Sequence, residues 1–369
     1  VRTAATEIFS IDLPIFAFSH CRDVVVEASR AGGMGILGAA WMTPDELEAA
    51  LRWIDAHIDG KPYGVDIVFP GTFAELGDER DPEQILPPRH REFVRELMDQ
   101  AGISRLPEGS AKDFVQEHAN RMKMTPRDSE RSLDIALTHP VRFVVSAMGP
   151  APKHVVDRIH ARGIQVGALV GSVRHALKQK AAGTDILIAQ GSEAGGHVGS
   201  VSSMVLWPQL IDAVAPMPVL AAGGIGRGRQ FAAAMALGAA GIWCGSIWLG
   251  TRESELSPAM KERLFASGSE DAVVSKALTG KNCRILRSSY TQAWDSPDAP
   301  QPLTFPLQSI LGGEPLRRAE RANRLDYWTY AVGQVVGDMN GEITVRQVFQ
   351  EFLEEYIEAN ERLRSLLAS

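Results

Sequence analysis

Eight short apolar runs, separated by amphipathic helical patterns, predict an α/β chain. The specific expectation is a (β/α)8 TIM barrel with an inserted helical cap after strand 3 and a C-terminal helical extension. Three observations carry it. The runs are near-continuous rather than alternating, as parallel strands covered on both faces must be. The patterns between them open with helix caps and close with glycine stops. One connection, 70–140, is far longer than an ordinary crossover.

In chain order, strands are expected at 13–18 (LPIFAF), 34–39 (MGILGA), 63–68 (YGVDIV), 141–146 (VRFVVS), 164–169 (IQVGAL), 185–189 (DILIA), 218–222 (PVLAA) and 241–245 (GIWCG). The helix "TPDELEAALRWIDAHI" opens with Thr43 as N-cap, Pro44 in the first turn and Glu46 at the third position. "APKHVVDRIHARG" ends at Gly163, a helix stop. Residues 70–140 carry two helical patterns, "RHREFVRELMDQAG" and "SAKDFVQEHANRMK", and leave the C-terminal end of strand 3. That end is the catalytic face of such a barrel, so the segment reads as a cap. The expected organisation is a barrel from 1–69 and 141–255, the cap at 70–140, and an extension at 256–369 packing on the barrel. Within the extension, "DSPDAPQPLTFPLQ" is too rich in proline for regular structure, and "TVRQVFQEFLEEYIEANERLRSLL" closes the chain as a helix.

Composition removes several functions. The 369 residues are 45% hydrophobic and 22% charged, with a net charge of -7 and no basic stripe, against nucleic-acid binding. No run approaches the roughly 18 apolar residues of a membrane span. The opening residues lack the features of a secretory leader. Cys21, Cys244 and Cys283 are far apart and form no CxxC pair, so neither a disulfide framework nor a metal site is expected, and a cytoplasmic location is.

Three glycine-rich stretches end strands. They are "QGSEAGGHVGS" (190–200), "AAGGIGRGR" (221–229) and "WCGS" (243–246). Glycine lets backbone N–H groups approach a ligand, and a phosphate needs several such donors near a helix start. Either turn alone is ordinary. Together, in the loops after strands 7 and 8, they point to one phosphate held by Gly224, Gly245, Ser246 and their neighbours. "GGIGRGR" is no Walker loop, lacking a following Lys-Ser/Thr, and its glycine spacing does not match a dinucleotide fingerprint. A flavin or sugar phosphate fits better.

His197 lies within the first glycine stretch, where its imidazole could transfer a proton at a small-molecule carbon or simply brace the loop. Glu193 is expected to brace backbone N–H groups. Gln190, with both donor and acceptor, can read a ring edge. His20 and Cys21 follow strand 1 and are candidates for the substrate pocket, with packing the competing role for Cys21. Cys244, inside a strand, is expected to be a small buried hydrophobe.

Together, "AQGSEAGGHVG" and "PVLAAGGIGRGRQFAAAMALGAAGIWCGSIWLGTRES" resemble the nitronate monooxygenase family, formerly called 2-nitropropane dioxygenases. "LPIF…SRAGGMGILGA" and "KPYGVDI" match more loosely, and "RILRSSY…VGQVVG" is a weaker echo. The resemblance implies an FMN-dependent barrel. Gln190 and Gly195 would touch FMN. Gly224 and the run Trp243, Cys244, Gly245, Ser246 would hold its phosphate, with Gly196 and Gly223 in the same turns. His197 matches the catalytic histidine.

Three features depart from the pattern. Asp66 stands where the family usually has Asn, and is assigned to the ring or ribityl hydroxyls. The loop "FSHCRD" lacks the family's methionine near the flavin. The long insertion is atypical. The implied activity is oxidation of alkyl nitronates with O2. The alternative is an NAD(P)H-dependent reductase of a quinone or enoyl thioester, and a scaffold without chemistry is the third possibility. A small-molecule substrate is expected in each enzymatic case, with no nucleic acid and no membrane as partner. A homodimer is left open.

Overall fold

A computed structural model describes residues 1–69, 85–107, 114–119, 121, 126–146 and 148–368. All eight expected strands form. They are β1 Ile15–Ser19, β2 Met34–Gly38, β3 Tyr63–Ile67, β4 Phe143–Ser146, β5 Gln165–Val170, β6 Ile186–Gln190, β8 Val219–Ala222 and β9 Gly241–Cys244. They close in that order into a parallel barrel. The seam joins β9 to β1 through Phe16↔Trp243 and Ala17↔Cys244.

Side chains alternate across each strand. One set points inward, where Phe16, Met34, Phe143, Ile186, Ile188 and Leu220 fill the interior. The other set packs beneath the surrounding helices. A short helix, Ala4–Phe9, plugs the N-terminal end. Its Phe9 ring lies 5.5 Å from Phe16 and 4.9 Å from Phe143. The open mouth is therefore at the C-terminal end, where alternation turns Phe18, Asp66, Leu169, Gln190 and Trp243 inward.

Helix Pro44–His57 starts where the capping box requires it. The Glu46 N–H donates to Thr43 Oγ1 (3.3 Å), and the Thr43 N–H donates to Glu46 Oε2 (2.8 Å). The same carboxylate also accepts from Arg121 of the insertion (2.9 Å).

The described part of the insertion is tied to the tail. Helix Pro88–Gln100 buries Val94 and Met98. These share one apolar cluster with Tyr290, Trp294, Ile310 and Leu311 of the tail. The nearly buried Arg318, from helix Leu307–Arg321, donates to the carbonyls of Ile103 (2.5 Å) and Ser104 (3.0 Å). Backbone acceptors replace the water that this guanidinium gives up. The second helical pattern expected in the insertion is helical over 114–119, and its remainder falls largely outside the described residues. Met98 is fully buried, so Met98→Ala is expected to cost roughly 2–5 kcal/mol in urea unfolding. A loss below about 0.5 kcal/mol, typical of a surface change, would mean that insertion and tail are not packed together.

The tail also supplies strands that the sequence reading missed. Here β10, Ala272–Ser275, pairs antiparallel with β11, Cys283–Leu286, and β11 pairs with β7, the two-residue strand Gly196–His197. The closing helix, Val345–Ala368, then runs back over the barrel. Its Phe349 stacks on Trp248 at 5.7 Å.

Candidate active site

His197 is fixed by the tail. In the β7–β11 ladder it lies opposite Cys283. Gln190, at the end of β6, donates from Nε2 to the His197 carbonyl (3.0 Å). The imidazole Nε2 meets Thr279 Oγ1 at 2.9 Å. Phe305 approaches the ring edge-on, with centroids 6.1 Å apart. Among the described residues Nδ1 has no hydrogen-bond partner. In the tautomer where Nε2–H donates to Thr279, Nδ1 is a free lone pair. Burial, and secondarily the nearby Lys281 ammonium, pull the His197 pKa down to about 4. The ring is therefore neutral at neutral pH and holds a base-form nitrogen.

The loop between Gln190 and His197 is braced from outside. Glu193 accepts from the Ser203 N–H (3.0 Å) and hydroxyl (3.0 Å) at the start of helix Ser203–Val214. This is the bracing role expected for it. Arg284 Nε donates to the Ser192 carbonyl (2.9 Å).

The glycines of the expected phosphate site divide into two kinds. Gly223 and Gly224 have φ of +95° and +73°, which side chains rarely tolerate. A Cβ on Gly224 would stand 3.1 Å from Glu193 Cβ, and one on Gly195 would stand 2.8 Å from the Gly333 nitrogen. These glycines have reasons internal to the protein. Gly196, at φ +79°, has open space around it. Gly245 differs from all of them. Its φ is -119°, and a Cβ there would touch only Phe18 Cδ1, at 3.6 Å. It sits at the start of the 3-10 turn Ser246–Gly250, beside the barrel mouth. Ser246 Oγ accepts from the Gly333 N–H (2.8 Å), so the tail reaches this turn too.

The other expected residues lie as alternation dictates. Trp243 points inward and stacks on Phe18 at 5.8 Å. Cys244 points outward and is buried beneath the helices, its thiol pushed far up by burial. Only its backbone can face a ligand. Asp66 is buried, with an inward position at the end of β3. His20 stays at the rim. Its Nδ1 lies 2.8 Å from the Gly38 carbonyl, and burial lowers its pKa. Cys21 has the surroundings of its competing role, packing. Its side chain packs in the outer apolar layer, its Sγ lies 3.0 Å from the Glu253 carbonyl, and burial pushes its pKa up to about 11. It occupies the N-cap position of helix Arg22–Arg30. Thr279, Lys281 and Phe305 went unnoticed in the sequence. The available signal was two short β-rich runs flanking "KALTGKN".

A closed parallel barrel with its loops gathered at the C-terminal mouth defines a (β/α)8 barrel protein. The chain belongs to the nitronate monooxygenase family, an oxidoreductase family that it matches over residues 2–355. It is 44% identical, across the full length of both chains, to a Mycobacterium tuberculosis protein named "Putative monooxygenase Rv1533". It is 31% identical to a (3aS,4S,5R,7aS)-5-hydroxy-7a-methyl-1-oxo-octahydro-1H-indene-4-carboxyl-CoA dehydrogenase of the same organism, over 80% of this chain and 69% of the relative. Nitroalkane oxidase from Streptomyces ansochromogenes shares the fold with a TM-score of 0.78, at 24% identity, over 98% of this chain and 100% of that one.

Proposed function

We propose that the chain is an FMN-dependent oxidoreductase that oxidises alkyl nitronates with O2, with His197 as the base when the substrate arrives as a neutral nitroalkane. One observation carries this reading: a neutral imidazole stands at the barrel mouth with Nδ1 open. A carbon acid needs such a base.

The residues present fit FMN. Gly245 leaves room that no protein atom requires, next to the left-handed turn Gly223–Gly224. Together they would cradle the phosphate. Asp66, Gln190 and Trp243 would lie toward the ring and ribityl chain, and Gly195, Gly196 and Ser246 would border them. Bound FMN would supply the electron acceptor. His197 would take the proton at Nδ1, with Thr279 holding the ring in place. Phe18 and Trp243 would keep water from the mouth. The insertion at 70–140 would act on substrate size through the tail to which it is packed.

The purified protein should be yellow, release FMN on heating and consume O2 with propyl nitronate. A colourless protein that cannot be reconstituted with FMN would end this reading. A second reading is favoured by the CoA dehydrogenase relative: an NAD(P)H-dependent flavin enzyme acting on an acyl or enoyl thioester. Anaerobic mixing separates the two, because bleaching by NADH or NADPH, but not by propyl nitronate, selects the second.

The low His197 pKa sets a pH profile. The base form is protonated only as pH falls through about 4. With a neutral nitroalkane, kcat/KM should therefore not decline between pH 7 and 5, and should fall only near 4. A fall centred near 6.5, the ordinary histidine value, would show that this imidazole is not held as described.

A further inference from the structure

Lys281 lies between β10 and β11, on the turn that crosses His197. The Lys281 N–H donates to Thr279 Oγ1 (3.3 Å), the same oxygen that meets the imidazole at 2.9 Å. The next residue is fastened to the histidine loop as well, since the Val198 N–H donates to the Asn282 carbonyl (3.2 Å). The Lys281 Nζ sits 4.9 Å from the centroid of Phe305, whose ring meets His197 edge-on. Among the described residues it forms no ion pair.

A lone ammonium on a fully solvated rim needs no explanation. This one is partly desolvated, which lowers its own pKa, and its field also disfavours a proton on His197. Without a ligand, each positive form opposes the other. An anion beside both would reverse the sign of each interaction.

We propose that Lys281 is the anion anchor of this site, pairing its ammonium with the oxygen of the conjugate base formed when His197 deprotonates the substrate. The inference rests on the reading of His197 as base. In the step, the substrate carbon loses a proton to Nδ1. The C–H electron pair becomes the second bond of C=N, one N=O π pair moves onto that oxygen, and the nitro group becomes a nitronate with no gain or loss of electrons overall. Lys281 favours the charge as it appears. The new anion in turn favours the imidazolium, so a weak base can keep its proton.

The test uses nitrate, a planar, unreactive oxyanion, with the FMN-loaded protein. Binding is followed by the NMR signals of labelled His197, assigned with His197→Asn. Nitrate should shift these signals in the wild type. Lys281→Met should weaken nitrate about five- to tenfold, the size of one charge-assisted contact at a partly exposed site, and Lys281→Arg should restore most of it. The His197 titration midpoint should also rise in Lys281→Met. No nitrate binding in the wild type, equal binding in Lys281→Met, or equal losses in the Met and Arg variants would each overturn the anchor. If nitrate binding follows the charge at 281 while no nitronate is oxidised, the anchor stands and the proposed substrate fails.

Discussion

Replacing His197 with Asn is expected to slow the oxidation of a neutral nitroalkane by about 10²- to 10⁴-fold, the usual range for one general acid–base group. Asn keeps an amide near the position of Nδ1, although it is too short to reproduce the contact that Nε2 makes with Thr279 at 2.9 Å. It cannot take a proton near neutral pH. A preformed nitronate has already lost that proton, and its oxidation should fall far less. The difference between the two substrates is the decisive quantity, because a general loss of structure would slow both. FMN should remain bound, since the glycines assigned to its phosphate lie on the turns after β8 and β9. Loss of flavin in this variant would make His197 a brace of its loop. Equal, undiminished rates with both substrates would remove it from the chemistry altogether, leaving His20 at the rim as the next base to test.

Much of this arrangement was legible because burial leaves a mark on composition. Parallel strands covered on both faces read as unbroken apolar runs, and all eight appear where such runs occur. The glycine stretches were legible because positive φ, as at Gly223 and Gly224, restricts residue type. The orientation of Trp243 and Cys244 was legible too, since strand period puts adjacent residues on opposite faces. Reading them as one run concealed it. Thr279 could not be found in this way. It stands 82 residues from His197 and reaches it through a two-residue strand, too short to show any period. Phe305 lies in the irregular stretch before helix Leu307–Arg321, where no pattern indicates which way a ring will face.

Gly245→Leu is expected to abolish FMN binding while leaving the thermal transition of the apoprotein close to that of the wild-type apoprotein. The adjacent turn offers a more obvious target, Gly224→Val, but that change confounds two effects. At φ +73° a branched residue is strained, and its Cβ would press on Glu193 Cβ at 3.1 Å. Left-handed backbone alone costs an L residue about 1–2 kcal/mol. Glu193 also caps helix Ser203–Val214 through Ser203, so the damage would spread into the fold. Flavin and stability should fall together in that variant. Gly245 has a negative φ, and a Cβ meets only Phe18 Cδ1, at ordinary contact distance. The protein therefore has room for a Cβ at this position, and a Leu there would extend toward the space assigned to the cofactor. Gly245→Ala, one carbon in the same direction, should weaken FMN less than Leu does. Apoprotein melting and FMN retention after gel filtration give the two readouts separately. Full flavin occupancy in Gly245→Leu would place the phosphate elsewhere, whatever the His197 variants show.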